Sequence, residues 1–183
     1  MVVRQIKNKK MVSFRIGNKH VYFHTILLKE PHDSNIINHF RNEFPDIFIQ
    51  GLNFDIVYNY EHLFEILKIS TLAERRNTMC SNKIELDFLL RIVGTNQISQ
   101  AIKDGGLKID SYIVFVILAY KMQIDKIKQK FIILFGNSEE EIFLDKKILS
   151  RKIEKYKIRF NNNFLEEKNI IKFLKEIGAL TTK

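Results

Sequence analysis

The 183 residues are 45% hydrophobic and 28% charged, ordinary globular usage with enough apolar material for one real core, so a single domain spanning 1–183 is expected. Thirty Lys and Arg against 21 Asp and Glu leave a formal charge of +9, a field that attracts a polyanion or an acidic protein face. The longest apolar stretches, 112–120 and 131–135, fall far short of the roughly 20 residues that cross a bilayer, and the basic start leads into no signal-like apolar run. Cys80 is the only cysteine, which excludes an internal disulfide and a cysteine-based metal cage. A soluble, cytoplasmic chain with no membrane partner is expected.

Short runs of β-branched and aromatic residues open the chain. Val2-Val3, then Met11, Val12, Phe14 and Ile16, then Val21, Phe23 and 25–28 predict strands, with Gly17-Asn18 as a hairpin turn. Beyond Pro31, Asp33 or Ser34 offers a cap, and Ile36, Ile37, Phe40 and Phe44 fall at helical spacing up to Pro45. Residues 47–49 and 54–58 read as two short strands separated by Gly51. Leu63, Phe64, Ile66, Leu67 and Leu72 then recur with helical period until the polar, basic stretch 74–78.

Asn82, three residues before Glu85, predicts the cap of a helix with Leu86, Leu89, Leu90 and Val93 on its apolar face, ended by Gly94. Thr95 caps a further short helix through Ile98, Ala101 and Ile102, closed by Gly105-Gly106. Residues 112–118 form a near-continuous apolar run, suited to a strand buried on both faces. Ile124, Ile127, Phe131 and Ile132 mark a helix over 122–135. Ser138 with Glu141 gives a second capping box, and Leu149, Ile153, Tyr156 and Phe160 form a stripe on a strongly basic helix. After the loop Asn161-Asn162-Asn163, a last helix carries Ile170, Phe173, Leu174 and Ile177 and ends at Gly178. There is no internal repeat or domain linker. The sum is an α+β fold: a single domain with a small, mostly antiparallel sheet packed by several helices.

Chemistry leaves little trace. The histidines at 20, 24, 32, 39 and 62 include no helical His-x-x-x-His pair, and no phosphate loop, nucleophile elbow or kinase signature is present. A non-enzymatic chain is expected, with no catalytic residue, cofactor or metal. Glu139-Glu140-Glu141 is better placed to favour a helix N-terminus than to hold a metal. The positive charge gathers at the two ends: Arg4, Lys7, Lys9, Lys10, Arg15 and Lys19, then Lys146, Lys147, Arg151, Lys152, Lys155, Lys157 and Arg159. Such clusters are either a solvated surface or a polyanion-binding face.

The segment Phe88-Leu89-Leu90-Arg91-Ile92-Val93-Gly94-Thr95-Asn96-Gln97-Ile98-Ser99-Gln100-Ala101-Ile102 resembles the most diagnostic stretch of the TPRKB family, in which an Arg before a Gly-Thr and then a Gln-Ile open a helix. The preceding Arg75-Arg76-Asn77-Thr78 and the strand at 112–118 fall where that family has a polar loop and its central apolar strand, so the resemblance covers about 54–136. Archaeal members often carry a Lys-Thr in the loop, where this chain reads Asn77-Thr78-Met79-Cys80-Ser81-Asn82. The resemblance implies a single-domain, non-catalytic subunit of the archaeal type of KEOPS complex, which installs threonylcarbamoyl on adenosine next to the tRNA anticodon. Such a subunit docks on a PRPK-type kinase subunit through an apolar helical surface and stimulates it. It meets the other KEOPS subunits indirectly, and in archaea it captures the single-stranded 3′ CCA end of tRNA.

A CCA tail offers unstacked bases and a bare backbone, so its binder needs cations, polar groups for base edges and something flat to stack on. Arg75, Arg76, Lys83 and Arg91 supply cations, and Thr95, Asn96 and Gln97 lie at a helix start whose backbone N–H groups welcome phosphate. Gly94 permits close backbone approach, and Arg91 is placed to stack on a base or pair with a phosphate. The plainer reading is a helix break with an N-cap and a surface charge. For the kinase interface the candidates are Ile153, Tyr156, Ile170, Phe173, Leu174 and Ile177, most of them expected to pack inward with one or two at each helix edge left for a partner. Two rivals stand beside this expectation: a protein-only adaptor that activates a small kinase without touching RNA, and a small nuclease using His24 or His39 as general base.

Overall fold

In the computed structural model, residues 14–29, 36–139, 142–143 and 145–181 are described. The strand expected at Val2-Val3, the part of the next at Met11 and Val12, the caps at Asp33 and Ser34, His32, and Glu141 of the second capping box lie outside them. The described residues form four strands and seven helices: β1 (Phe14–Ile16), β2 (Lys19–Leu28), α1 (Ile36–Glu43), β3 (Phe48–Asn53), α2 (Tyr60–Arg75), α3 (Ile84–Val93), α4 (Ile98–Gly105), β4 (Ser111–Ala119), α5 (Lys121–Phe135), α6 (Lys146–Phe160) and α7 (Ile170–Leu180).

The apolar run in β4 sets the architecture. Its side chains alternate between two faces, and since 113–119 are all apolar, both faces must be covered. Val114, Val116 and Leu118 point into one cluster with Leu63, Ile66, Leu67 and Phe88 from α2 and α3. Ile113, Phe115, Ile117 and Ala119 point into another with Phe40 of α1 and Ile127 and Phe131 of α5. The sheet order is β1-β2-β4-β3 with every pairing antiparallel, so β4 is an interior strand between helical layers. The expected α+β fold with a small antiparallel sheet is what forms. A third cluster, built on Tyr58, Tyr156, Leu165, Ile170 and Leu174, fastens α6 and α7 to the first layer.

Local expectations fail where a side chain finds a better use than the one its spacing suggests. The second short strand expected at 54–58 is absent: Asn53 Oδ1 accepts the Asp55 amide at 2.9 Å, and Phe54–Ile56 turn as a short 3-10 helix. β3 instead runs unbroken through Gly51, whose missing side chain leaves room for Leu107. Asn82 does not cap α3; Lys83 occupies that position without a side-chain bond, and Glu85 and Asp87 place negative charge in the first turn. Ser138 Oγ accepts the Thr25 amide at 2.9 Å, tying the stretch after α5 to β2, and α6 is capped by Asp145. Gly178 does not end the last helix, which continues to Leu180.

Candidate nucleic-acid interface

The polar loop between α2 and α3 is framed by cations. Arg75 is the last residue of α2, Arg76 is its C-cap, and Lys83 stands at the cap of α3. All three side chains are exposed, and none pairs with a carboxylate among the described residues. Arg75 and Arg76 also complement the negative end of the α2 dipole. The Arg75 guanidinium reaches the β1–β2 turn, with Nη2 at 3.5 Å from where a Cβ on Gly17 would lie. It walls one end of an apolar groove of about 360 Å³ shared with Ile16, Ile69, Leu72 and the stems of Lys68 and Lys175. Those two lysines share Glu65, at 2.9 and 2.7 Å, so Arg75 is the groove's unshared charge.

The loop is fixed from beneath. The Cys80 amide donates to Asp87 Oδ1 at 2.6 Å and Ser81 Oγ donates to the Lys83 carbonyl at 2.7 Å. Burial raises the Asp87 carboxyl, but the hydrogen bonds from Arg91 and the Cys80 amide outweigh it and hold the group below the usual carboxylate range.

Arg91 requires a correction: it cannot meet RNA from where it lies. The side chain is buried at 4% exposure. Its Nε donates to Asp87 Oδ2 at 2.8 Å and its Nη1 to the Gly178 and Thr181 carbonyls at 2.8 and 2.9 Å. The guanidinium fork is thereby spent inside the protein, closing the end of α7.

Gly94 also serves packing. It takes the left-handed conformation, φ 70°, that ends α3, and the Gly94 and Thr95 amides both return to the Leu90 carbonyl at 2.8 and 3.1 Å. A side chain on Gly94 would strike Ile177 and Phe160, so the space it leaves is filled by α6 and α7 and not open to a ligand. Thr95 does not cap α4; its hydroxyl accepts the Gln97 amide at 3.2 Å, and Gln97 holds the cap position. Asn96 and Gln97 are exposed. The anticipated contacts therefore fall into two groups at opposite ends of α3, about 15 Å apart at 1.5 Å per residue: Arg75, Arg76 and Lys83 at one end, Asn96 and Gln97 at the other. Beyond the second group, Gln100, Asp104 and Lys108 line a polar groove of about 490 Å³ with Lys155 and Arg159. Lys155 pairs with Asp55 at 2.9 Å and Arg159 with Asp104 at 3.1 Å, so most of its charge is internally balanced.

Of the six apolar residues expected at a kinase interface, Tyr156, Ile170 and Leu174 are buried in the third cluster, and Ile153, Phe173 and Ile177 are half-buried. The buried three must be withdrawn from a docking face, since they already hold α6 and α7 to the body. Large apolar side chains do stand in solvent nearby: Ile158 at 82%, Phe164 at 90% and Leu180 at 75% exposure. Sequence reasoning passed over these three, and it counted Lys152 in the second basic cluster, whereas its side chain is buried and donates to the Phe54 and Val57 carbonyls. The signal was present: Lys152 stands three residues after Leu149 and four before Tyr156, squarely on the apolar stripe.

The histidines lie in dissimilar surroundings. His24 is fully buried, its Nδ1 2.7 Å from the Tyr22 hydroxyl, and burial pushes its pKa down to about 4. An imidazole so enclosed meets no phosphate. His39 is exposed on α1 beside Glu43 at 3.7 Å. Among the described residues no three His, Cys, Asp or Glu side chains gather as metal ligands, and no helix is long and apolar enough to cross a membrane. No protein-family model matches the chain, and no curated protein matches it.

Proposed function

We propose that the chain is a non-catalytic, tRNA-binding and kinase-binding subunit of the TPRKB kind, working in the KEOPS complex in threonylcarbamoyladenosine modification and holding the 3′ CCA end of tRNA. The observation that carries the reading is the loop at 77–82, bracketed by Arg75, Arg76 and Lys83, three exposed cations with no carboxylate partner among the described residues. Unpaired cations around a polar loop suit a single-stranded backbone, and the apolar groove beside Arg75 offers a surface on which a base can rest. Asn96 and Gln97 stay in the reading as a second polar contact along the strand. Arg91 and Gly94 leave it as contacts and remain as scaffold.

The experiment is binding of the purified chain to intact tRNA and to tRNA lacking its CCA tail, across a salt series, beside a variant in which Arg75, Arg76 and Lys83 are all alanine. Selective weakening with the clipped tRNA and with the variant is the expected result. Equal, weak binding by all combinations overturns tail capture at this loop.

A second reading, a protein-only adaptor that activates a small kinase without contacting RNA, is favoured by Ile158 on α6, Phe164 in the loop after it and Leu180 on α7, all standing in solvent. Full kinase activation by the triple alanine variant without measurable tRNA binding by the parent chain would select it. Replacing Ile158 and Phe164 with serine is expected to weaken the kinase contact under either reading.

A further inference from the structure

Asp87 and Arg91 sit where three segments meet, and their hydrogen bonds form a ring that begins and ends at Cys80. The Cys80 amide donates to Asp87 Oδ1 at 2.6 Å, and Arg91 donates to both Asp87 oxygens, at 2.8 and 3.2 Å. Arg91 Nη1 then donates to the Gly178 and Thr181 carbonyls, and the Cys80 thiol donates to that same Thr181 carbonyl at 3.1 Å. Asp87 and Arg91 are 0% and 4% exposed. Carbonyls in the last turn of a helix have no partner within it, so the end of α7 draws its donors from α3 and the loop. Withdrawing that end would take these acceptors from the buried Arg91 guanidinium and from the half-buried Cys80 thiol, and a buried donor deprived of its acceptor costs more than the bond itself contributes. The loop and the end of α7 are thus held by one connected set of hydrogen bonds, the loop donating to Asp87 and the end of α7 accepting from Arg91 and Cys80.

Gly178 makes the approach close enough. A Cβ there would lie 2.4 Å from Ile66 Cδ1 and 3.4 Å from the Arg91 carbonyl oxygen, so a larger residue pushes α7 off α2 and α3.

From this geometry we infer that Asp87 and Arg91 are positioning residues that latch the end of α7 to the 77–82 loop, so that the loop keeps its place only while that end is docked. The latch stands on the hydrogen bonds alone; what the loop does with its position rests on the nucleic-acid reading. A protein that grips the end of α7 then alters RNA affinity at the loop, and RNA at the loop alters that protein's affinity by the same factor.

Cys80 is the single thiol in the chain and reports on the latch without any ligand. The test is its rate of reaction with a maleimide under native conditions in the parent chain, in Gly178→Val and in Arg91→Lys. Ile127→Val, in the α5 cluster on the other face of the sheet, serves as a control for general loss of stability. Labelling at least tenfold faster in the latch variants than in the control, with tRNA affinity at least threefold weaker, is expected. If Gly178→Val does not fold, Arg91→Lys carries the comparison, because a lysine keeps the charge but cannot reach Asp87 and both carbonyls. Labelling at the control's rate overturns the latch, and faster labelling with unchanged tRNA affinity overturns its positioning role. Faster labelling in a protein whose parent chain binds no tRNA upholds the latch and removes the nucleic-acid reading instead.

Discussion

Lys152 Nζ lies 3.1 Å from the centroid of the Phe54 ring and donates to the Phe54 carbonyl at 2.7 Å, so one residue receives the amine on both its ring face and its backbone. A second bond goes to the Val57 carbonyl. Burial is the dominant influence and pushes the Lys152 pKa down to about 6, against an opposing pull from Asp55. The unfolded chain, at 10.5, therefore holds a proton that the folded chain lacks across the window from about 6 to 10.5. Stability must rise with pH in that window and be lost as pH falls towards 6, by on the order of 1 kcal/mol per pH unit from this group. Thermal melts from pH 6.5 to 9 are expected to show an increasing Tm, and Lys152→Met to flatten the slope. A parent chain whose Tm does not change over that range would refute the assignment.

What could be read from residue order follows from where periodicity carries information. The alternation across β4 and the stripes of α1, α2, α5 and α7 are patterns of burial, and burial is what builds layers, so the α+β sheet with helices was legible. Charge obscured the rest. Arg91 and Lys152 read as surface because ionised groups shun the interior, yet each found acceptors that only the folded chain assembles: Gly178 and Thr181 carbonyls 87 and 90 residues away, and Phe54 and Val57 carbonyls 98 and 95 residues away. The four-residue spacing of Asp87 and Arg91 was a visible hint of an ion pair. Nothing in it announced burial. For the candidate site, the cationic frame at 75, 76 and 83 was legible, whereas the separation of that frame from Asn96 and Gln97 along α3 was not, since adjacency in sequence conceals the length of a helix.

Acid is expected to unfold the protein partly through His62 and His24. Burial first, and Lys152 second, lower the His62 pKa to about 3, and burial lowers that of His24 to about 4. Both lie below the unfolded value of 6.5, so their contribution is complete above 6.5 and is lost as pH falls through the folded values. His62 Nδ1 accepts the Tyr58 amide at 3.3 Å. In His62→Asn an amide oxygen can take that bond but no proton, and the midpoint of acid unfolding, followed by circular dichroism, should move to lower pH. A midpoint that stays in place or rises would show that His62 is not among the groups that protonate on unfolding.

Two neighbours on α5 should differ sharply in how much their truncation costs. Phe131 is fully buried, with ring centroids of Phe40, Phe115 and His24 within 4.7 to 5.2 Å, whereas Ile133 is 81% exposed. Truncating an aromatic in such a cluster costs about 3–5 kcal/mol from lost burial and the cavity left behind, so Phe131→Ala should lower the urea midpoint sharply. Ile133→Ser should stay within about 0.5 kcal/mol of the parent. Comparable losses at the two positions would mean that α5 packs on the sheet through a different face.

The Asp87–Arg91 pair separates scaffold from contact in one set of measurements. Removing either partner alone leaves a buried charge without compensation, so Asp87→Ala and Arg91→Met should each cost about 3–5 kcal/mol, and the double replacement less than their sum. On the proposed RNA-binding role, the salt dependence of affinity offers the complementary signature. A cation that touches phosphate releases counterions, and its loss reduces the slope of log affinity against log salt by about 1. Arg75→Ala, Arg76→Ala and Lys83→Ala are therefore expected to reduce the slope one by one. Arg91→Met should weaken binding while leaving the slope of the parent intact, because its charge is spent on Asp87 and on the end of α7. A reduced slope in Arg91→Met, measured at a temperature where the variant is fully folded, would place Arg91 back on the RNA.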